Sequence, residues 1–156
     1  MTKTDRVLSP NHNARRGKIR LIVMHCDASP RESATLDWLA NPVSKASYHA
    51  LIHRDGWVSR LVPDERAAWH AGVSEWNGVK RVNDISLGLS FSNRNDGKEH
   101  LTDAQLDIAK AVVQYWCQRY DIEAVTTHAE VARPVGRKTD PCKAPNFRLE
   151  DYACFV

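Results

Sequence analysis

The sequence has no long hydrophobic run. Its apolar stretches, such as Leu21 to Met24, fall far short of the ~20 residues that a membrane-spanning helix needs, so a soluble protein without membrane insertion is expected. No internal repeat, low-complexity tract or Gly/Ser linker divides the chain, which reads as a single domain over residues 1–156. Met1 to Pro10 is polar, without the apolar core or small-residue cleavage site of a secretory signal, so synthesis in the cytoplasm is expected and any export takes another route. The four cysteines, Cys26, Cys117, Cys142 and Cys154, include no C-x-x-C pair, and free thiols are the expectation for a chain made in a reducing compartment. Charge of one sign is also missing. Twenty-two Lys and Arg against 19 Asp and Glu leave +3, which is not the balance of a nucleic-acid binder. The basic cluster Arg15, Arg16, Lys18 and Arg20 reads as a solvated loop.

What is present is an ordinary globular composition: 156 residues, 42% hydrophobic and 26% charged. A chain of this size buries roughly 70% of its unfolded surface, enough for a core without disulfides or structural metal. Any metal would therefore be functional. The β-branched run Lys18 to His25 predicts a strand covered on both faces, with His25 at its exit. Ser33 to Asn41 predicts a short helix, stopped because Asn41 precedes Pro42. The runs Tyr48 to His53 and Trp57 to Val62 flank Arg54-Asp55-Gly56 and predict a hairpin. Asp84 to Ser92 alternates Ile85, Leu87, Leu89 and Phe91 with Ser86, Gly88, Ser90 and Ser92, a strand with one small, polar face. Thr102 to Gln105 forms a capping-box pattern ahead of Leu106, Ala109, Val113, Trp116 and Tyr120, predicting a helix that packs on the sheet. A short strand at Ala124 to Thr127 delivers His128, and a Pro- and Gly-containing loop follows to Asn146. Mixed strands and helices with a hairpin predict an α/β domain with a mixed sheet.

The residues able to do chemistry are His25, His128, Lys138 and Asp140. A hydrolytic zinc site takes three protein ligands and keeps a fourth position for water. Two strand-end histidines and a loop carboxylate meet that count, although nothing resembles H-E-x-x-H. Cys26 and Cys142 flank the candidate ligands and compete for the role. Lys138 precedes Asp140 by two residues, so both can point the same way from an extended loop, and a lysine there can stabilise an oxyanion. Tyr48 opens a hairpin strand, where its phenol can orient water or a carbonyl. Trp69-His70-Ala71-Gly72 sets an aromatic plate and an imidazole in a loop, either lining a groove or anchoring the loop.

Taken together, these segments resemble the zinc-dependent N-acetylmuramoyl-L-alanine amidases of type 2, a family that includes phage endolysins and is related to peptidoglycan recognition proteins. The resemblance rests on Ile22-Val23-Met24-His25, Ser44 to Ile52, Arg54-Asp55-Gly56, Leu61-Val62-Pro63, Ala68 to Gly72, Asn83 to Gly88 and Gly136 to Pro141. It spans Ser9 to Phe147. It implies a central mixed sheet flanked by helices, with one zinc ion at its edge. It also implies zinc ligands His25, His128 and Asp140, a catalytic Lys138, an assisting Tyr48, and substrate contacts at Trp69, His70 and Asn83. One position departs from the pattern. Many members carry a catalytic Glu where this sequence has Ser90; some phage members also lack that Glu and remain active, so the resemblance points to the phage-like subgroup that uses tyrosine and lysine. Serine does not accept a proton at neutral pH, so the base falls to Tyr48, to zinc-activated water or to an unassigned group.

The activity implied is hydrolysis of the amide bond between N-acetylmuramic acid and L-alanine in peptidoglycan. A single domain without signal peptide suits a monomeric phage or prophage endolysin, which reaches the wall after release by a separate lytic protein. The alternative is a cytoplasmic amidase recycling soluble anhydro-muropeptides. A third reading, a peptidoglycan-binding module without catalysis, fits less well because all three matching ligands are present.

Overall fold

The computed structural model describes residues 4–6 and 8–154, with side chains from residue 8 onward. Its eight strands are β1 (Thr4–Arg6), β2 (His12–Ala14), β3 (Leu21–Cys26), β4 (Ala50–Ile52), β5 (Val58–Arg60), β6 (Arg66–Ala68), β7 (Ser86–Phe91) and β8 (Ala124–Thr127). Three helices, α1 (Glu32–Ala40), α2 (Asp103–Arg119) and α3 (His128–Val131), complete the regular structure with three short 3-10 turns.

β3 is apolar almost throughout because every residue in it is buried. It lies between two parallel neighbours, β7 and β8, in a six-stranded sheet ordered β1-β5-β4-β7-β3-β8. β4 also runs parallel to β7, whereas β4 and β5 form the antiparallel hairpin. The turn of that hairpin holds Gly56 at φ +86°, a left-handed conformation that glycine adopts without the clash a Cβ introduces. The mixed α/β sheet and the predicted order of elements are therefore present.

Alternation along the strands sorts side chains onto two faces. Ile22, Met24, Leu87, Leu89 and Phe91 join one core cluster with Ala109, Val113 and Trp116 of α2. That helix opens with the predicted capping box: Thr102 accepts from the Gln105 backbone, and the Gln105 side chain accepts in return. The opposite face carries Leu21 and Val23, which pack with Ala71, Val82 and Val131, and it carries His25 next in the alternation. α1 closes a third cluster through Leu39 against Leu51, Leu61 and Val62. It ends at Ala40, one residue short of the Asn41 that precedes Pro42.

Three features differ from the sequence expectations. Arg15 is not in a solvated loop. Its guanidinium donates to the carbonyls of Asn83, Ser86, Asp64 and Arg66 at 2.8–3.1 Å, tying together two segments distant in sequence and satisfying their backbone acceptors. The predicted strand from Asp84 begins instead at Ser86, because Val82–Ile85 forms a 3-10 turn. Cys117 and Cys154 are joined in a disulfide across a separation of 37 residues, contrary to the expectation of free thiols; Cys26 and Cys142 remain free. The bridge fastens the carboxy-terminal turn to α2, beside the core contribution of Tyr152. Loop-closure entropy for this span gives about 4 kcal/mol. Reduction is therefore expected to lower the thermal unfolding midpoint by several degrees, and an unchanged midpoint after verified reduction would show that the bridge does not constrain the fold.

Candidate active site

Two parallel strands end side by side, and each delivers a histidine. β3 and β8 are in register from Leu21 opposite Ala124 to Met24 opposite Thr127, so the residues that follow, His25 and His128, emerge together with ring centroids 4.5 Å apart. The Thr127 hydroxyl accepts from the Glu130 backbone and so starts α3 at His128. The loop after α3 returns Asp140 to the same point. Its carbonyl accepts from the Ala129 backbone at 3.1 Å, and its Oδ2 accepts from the Cys26 backbone N–H at 3.2 Å. His25, His128 and Asp140 are all buried, and one donor atom from each lies within 4.8 Å of the others.

The hydrogen bonds on the outer sides of the rings determine what the inner sides offer. His128 Nε2 lies 3.2 Å from the Ala71 carbonyl, which only accepts, so the tautomer with its proton on Nε2 bonds there and leaves the Nδ1 lone pair for a metal. That Nδ1 faces the Asp140 carboxylate at 3.1–3.2 Å. On His25, Nε2 is hydrogen-bonded to His70 Nδ1 at 2.9 Å, while the fully buried Nδ1 has no hydrogen-bond partner and sits 3.4 Å from Asp140 Oδ2. With both ring protons on Nε2, lone pairs of two imidazoles and a carboxylate converge on one point. Such an arrangement repels itself unless a cation lies among them, and the imidazole and carboxylate donor set fits zinc. Burial outweighs the attraction of Asp140 and lowers His25 to about 4, so the ring is neutral at pH 7, as a ligand must be. Burial acts to raise the Asp140 carboxyl, but the adjoining His128 and His25 rings hold it well below the usual carboxylate range.

The other expected residues fall at different depths. Lys138 is exposed on the loop leading to Asp140, close enough for its charge to act on His25. Tyr48 lies against the His25 ring at 5.1 Å between centroids. Burial raises its phenol further above neutrality, so Tyr48 is a hydrogen-bond donor at pH 7 and not a base. Ser90 pairs with His25 across β3 and β7 and is buried. Trp69 and Asn83 line a cleft of about 240 Å3 together with Asn13, Gly72, Lys80 and Arg81. Trp69 Nε1 donates to Asn13 Oδ1, and Asn83 Oδ1 accepts from the His70 and Ala71 backbones. His70 does not line that cleft. It lies behind His25, fully enclosed, with burial and the neighbouring histidines keeping it well below its ordinary pKa. A larger cavity of about 630 Å3 at β8 and the carboxy-terminal turn contains none of these residues. Among the described residues, neither Cys26 nor Cys142 belongs to the group of three.

Sequence reasoning passed over His49. Gly88 N–H donates to its Nδ1, and its Nε2 donates to the Arg66 carbonyl. Burial lowers it to about 3 against the effect of that second bond. His25 and His49 start from an ordinary value of 6.5, so below that pH the unfolded chain binds protons that the folded chain refuses. The stability they contribute is complete above pH 6.5 and declines as pH falls, toward 4 for His25 and toward 3 for His49. The unfolding midpoint of zinc-free protein is expected to drop across that window, and less steeply in His49→Gln. A flat profile would contradict the neutral buried histidines.

Comparison with known proteins places the site in a family context. The sequence family described as N-acetylmuramoyl-L-alanine amidase matches residues 15–143. The 1,6-anhydro-N-acetylmuramyl-L-alanine amidase AmpD of Citrobacter freundii is 40% identical over 115 residues, covering 71% of this chain and 56% of that protein. The chain thus spans little more than half the length of that relative. A crystal structure of a selenomethionine AmpD derivative superposes with a TM-score of 0.78 at 32% identity, over 97% of this chain and 93% of the other. The Escherichia coli amidase AmiD, in complex with the substrate anhydro-N-acetylmuramic acid-L-Ala-D-gamma-Glu-L-Lys, gives a TM-score of 0.72 at 28% identity, over 83% of this chain and 55% of that one.

Proposed function

The chain belongs to the N-acetylmuramoyl-L-alanine amidase family, and on that premise we propose that it is a zinc-dependent amidase releasing L-alanine-initiated peptides from anhydro-N-acetylmuramic acid. The observation that carries the reading is the convergence of His25 Nδ1, His128 Nδ1 and an Asp140 oxygen, with the outer nitrogens of the two rings taken up by His70 Nδ1 and the Ala71 carbonyl. The substrate class is supported by the relatives, which include an AmpD described as a 1,6-anhydro-N-acetylmuramyl-L-alanine amidase and an AmiD bound to an anhydro-muropeptide. Soluble anhydro-muropeptides are therefore preferred here to the endolysin role.

His25, His128 and Asp140 would hold the ion. When bound, zinc supplies a Lewis acid and an activated water at neutral pH. Lys138, exposed and near enough for its charge to act on His25, would stabilise the scissile carbonyl oxygen as it becomes negative in the tetrahedral centre. Tyr48 keeps its proton and lies against the His25 ring, where its phenol would donate a hydrogen bond. Neither Tyr48 nor Ser90 takes up the proton of the attacking water. Trp69 and Asn83 border the cleft in which the sugar or peptide stem would rest.

The test is a pair of digests with zinc-loaded protein, one of anhydro-N-acetylmuramyl tripeptide and one of intact sacculi, read by mass spectrometry. Faster release of the free tripeptide from the soluble substrate is expected. Turnover confined to sacculi would restore the endolysin reading, for which one observation speaks: the Cys117–Cys154 disulfide suits an oxidising place of action.

A further inference from the structure

The proton positions at the metal site are set from behind, along a chain of hydrogen bonds that ends on a backbone carbonyl. The Ser86 hydroxyl donates to the Val82 carbonyl at 2.5 Å. Its proton is thereby committed, so toward His70 Nε2, 3.0 Å away, the Ser86 oxygen can only accept. His70 Nε2 must carry the hydrogen, which leaves His70 Nδ1 as a bare acceptor. The partner of that acceptor is His25 Nε2 at 2.9 Å, which must then be the protonated nitrogen of His25. The remaining nitrogen, His25 Nδ1, is left with its lone pair toward Asp140 and His128. All three links are buried; His25 and Ser86 are 0% exposed and His70 is 6% exposed, so water does not offer an alternative partner.

We propose that His70 and Ser86 are positioning residues that hold His25 in the tautomer able to bind the metal, in place of a role for His70 in contacting substrate. This deepens the zinc reading and rests on it. Without the chain, the competing arrangement is a proton on His25 Nδ1 donated to Asp140 Oδ2, 3.4 Å away. That state joins two of the three ligands to each other and occupies the ion's place. The path from Val82 through Ser86, His70 and His25 prevents it by assigning the His25 proton to the far nitrogen.

A second, independent observation shows that the fold makes room for the relay. A Cβ added at Gly88 would lie 2.6 Å from His70 Cγ and 3.0 Å from its Nδ1, closer than real Cβ contacts allow. Gly88 therefore sits where only a glycine lets the imidazole lie flat against β7. The small face of that strand, Ser86 and Gly88, seats and anchors one ring.

The test uses full-length zinc-free protein and two readouts that do not depend on turnover: long-range 15N–1H spectra that report the His25 tautomer, and zinc affinity by competition with a chelator. Wild type is expected to show His25 protonated at Nε2. His70→Leu removes the acceptor and is expected to weaken zinc binding by about 10–100-fold, the range for loss of an outer partner of a metal ligand. His70→Gln, whose amide oxygen accepts from His25 while its NH2 donates to Ser86, is expected to recover most of that loss. Should His70→Leu fail to fold, Ser86→Ala carries the same test, with the His25 tautomer shifting toward Nδ1–H and zinc affinity falling. Wild-type His25 protonated at Nδ1, or a folded His70→Leu or Ser86→Ala protein with unchanged tautomer and affinity, overturns the proposal. Wild type that takes up no zinc while His25 stays Nε2-protonated would instead overturn the zinc reading and leave the relay standing.

Discussion

Asp140→Ala is expected to lose zinc and amide hydrolysis together. Asp140 provides the only carboxylate of the ligand group, and its charge offsets half of the ion's. Removing it leaves two neutral imidazoles, too few ligands for a stable catalytic site. The fall in zinc affinity should therefore exceed the ~100-fold that loss of an outer partner brings. Because Asp140 Oδ2 also accepts from the Cys26 backbone, Asp140→Asn serves as a control that can keep this acceptor while removing the charge. It should retain the fold and still bind zinc poorly. Stoichiometric zinc in either variant would show the ligand set to be wrong, with the exposed thiol of Cys142 next to be tested.

Lys138→Met is expected to behave in the opposite way with respect to metal. Lys138 is exposed and belongs to neither the ligand group nor the core, so zinc content and unfolding midpoint should match wild type. Turnover should fall by about 10²–10³-fold, the cost of removing a group that stabilises the charge developing on a carbonyl oxygen. The loss should appear in kcat more than in KM, because the charge develops only on the way to the tetrahedral centre. A Lys138→Met enzyme with wild-type kcat would remove the lysine from the chemistry.

Much of the positioning of this site is legible in the sequence because it depends on strand exits. The apolar run before His25 and the short β-rich segment before His128 each announce a strand, and two parallel neighbours must end side by side. The alternation of small residues from Ser86 to Ser92 was readable as a face, but its purpose was not. Only the structure shows that Gly88 lies beneath His70 and that the Ser86 hydroxyl lies 3.0 Å from its Nε2. His70 looked like a groove residue because it follows Trp69, yet adjacent residues in an extended segment point to opposite sides, and here one borders the cleft while the other is enclosed. The role of Arg15 is hidden for a related reason: local composition cannot reveal the four carbonyls, distant in sequence, that its guanidinium joins. The Cys117–Cys154 pairing was likewise hidden, since it follows from where the carboxy-terminal turn docks on α2. The ribbon of β2 and β6 has three residues in each strand, too few for any periodicity to show.

The most direct measurement is the appearance of alanine amino groups and of reducing sugar ends, followed separately, when purified protein acts on anhydro-muropeptide and on peptidoglycan. It is made with zinc, after chelation, and after zinc is restored. Amino groups that appear with zinc, stop on chelation and return on restoration, with no new reducing ends, are the expected result. Amino-group release that persists in verified zinc-free protein, or no release on either substrate despite stoichiometric zinc, would contradict a zinc amidase built on His25, His128 and Asp140.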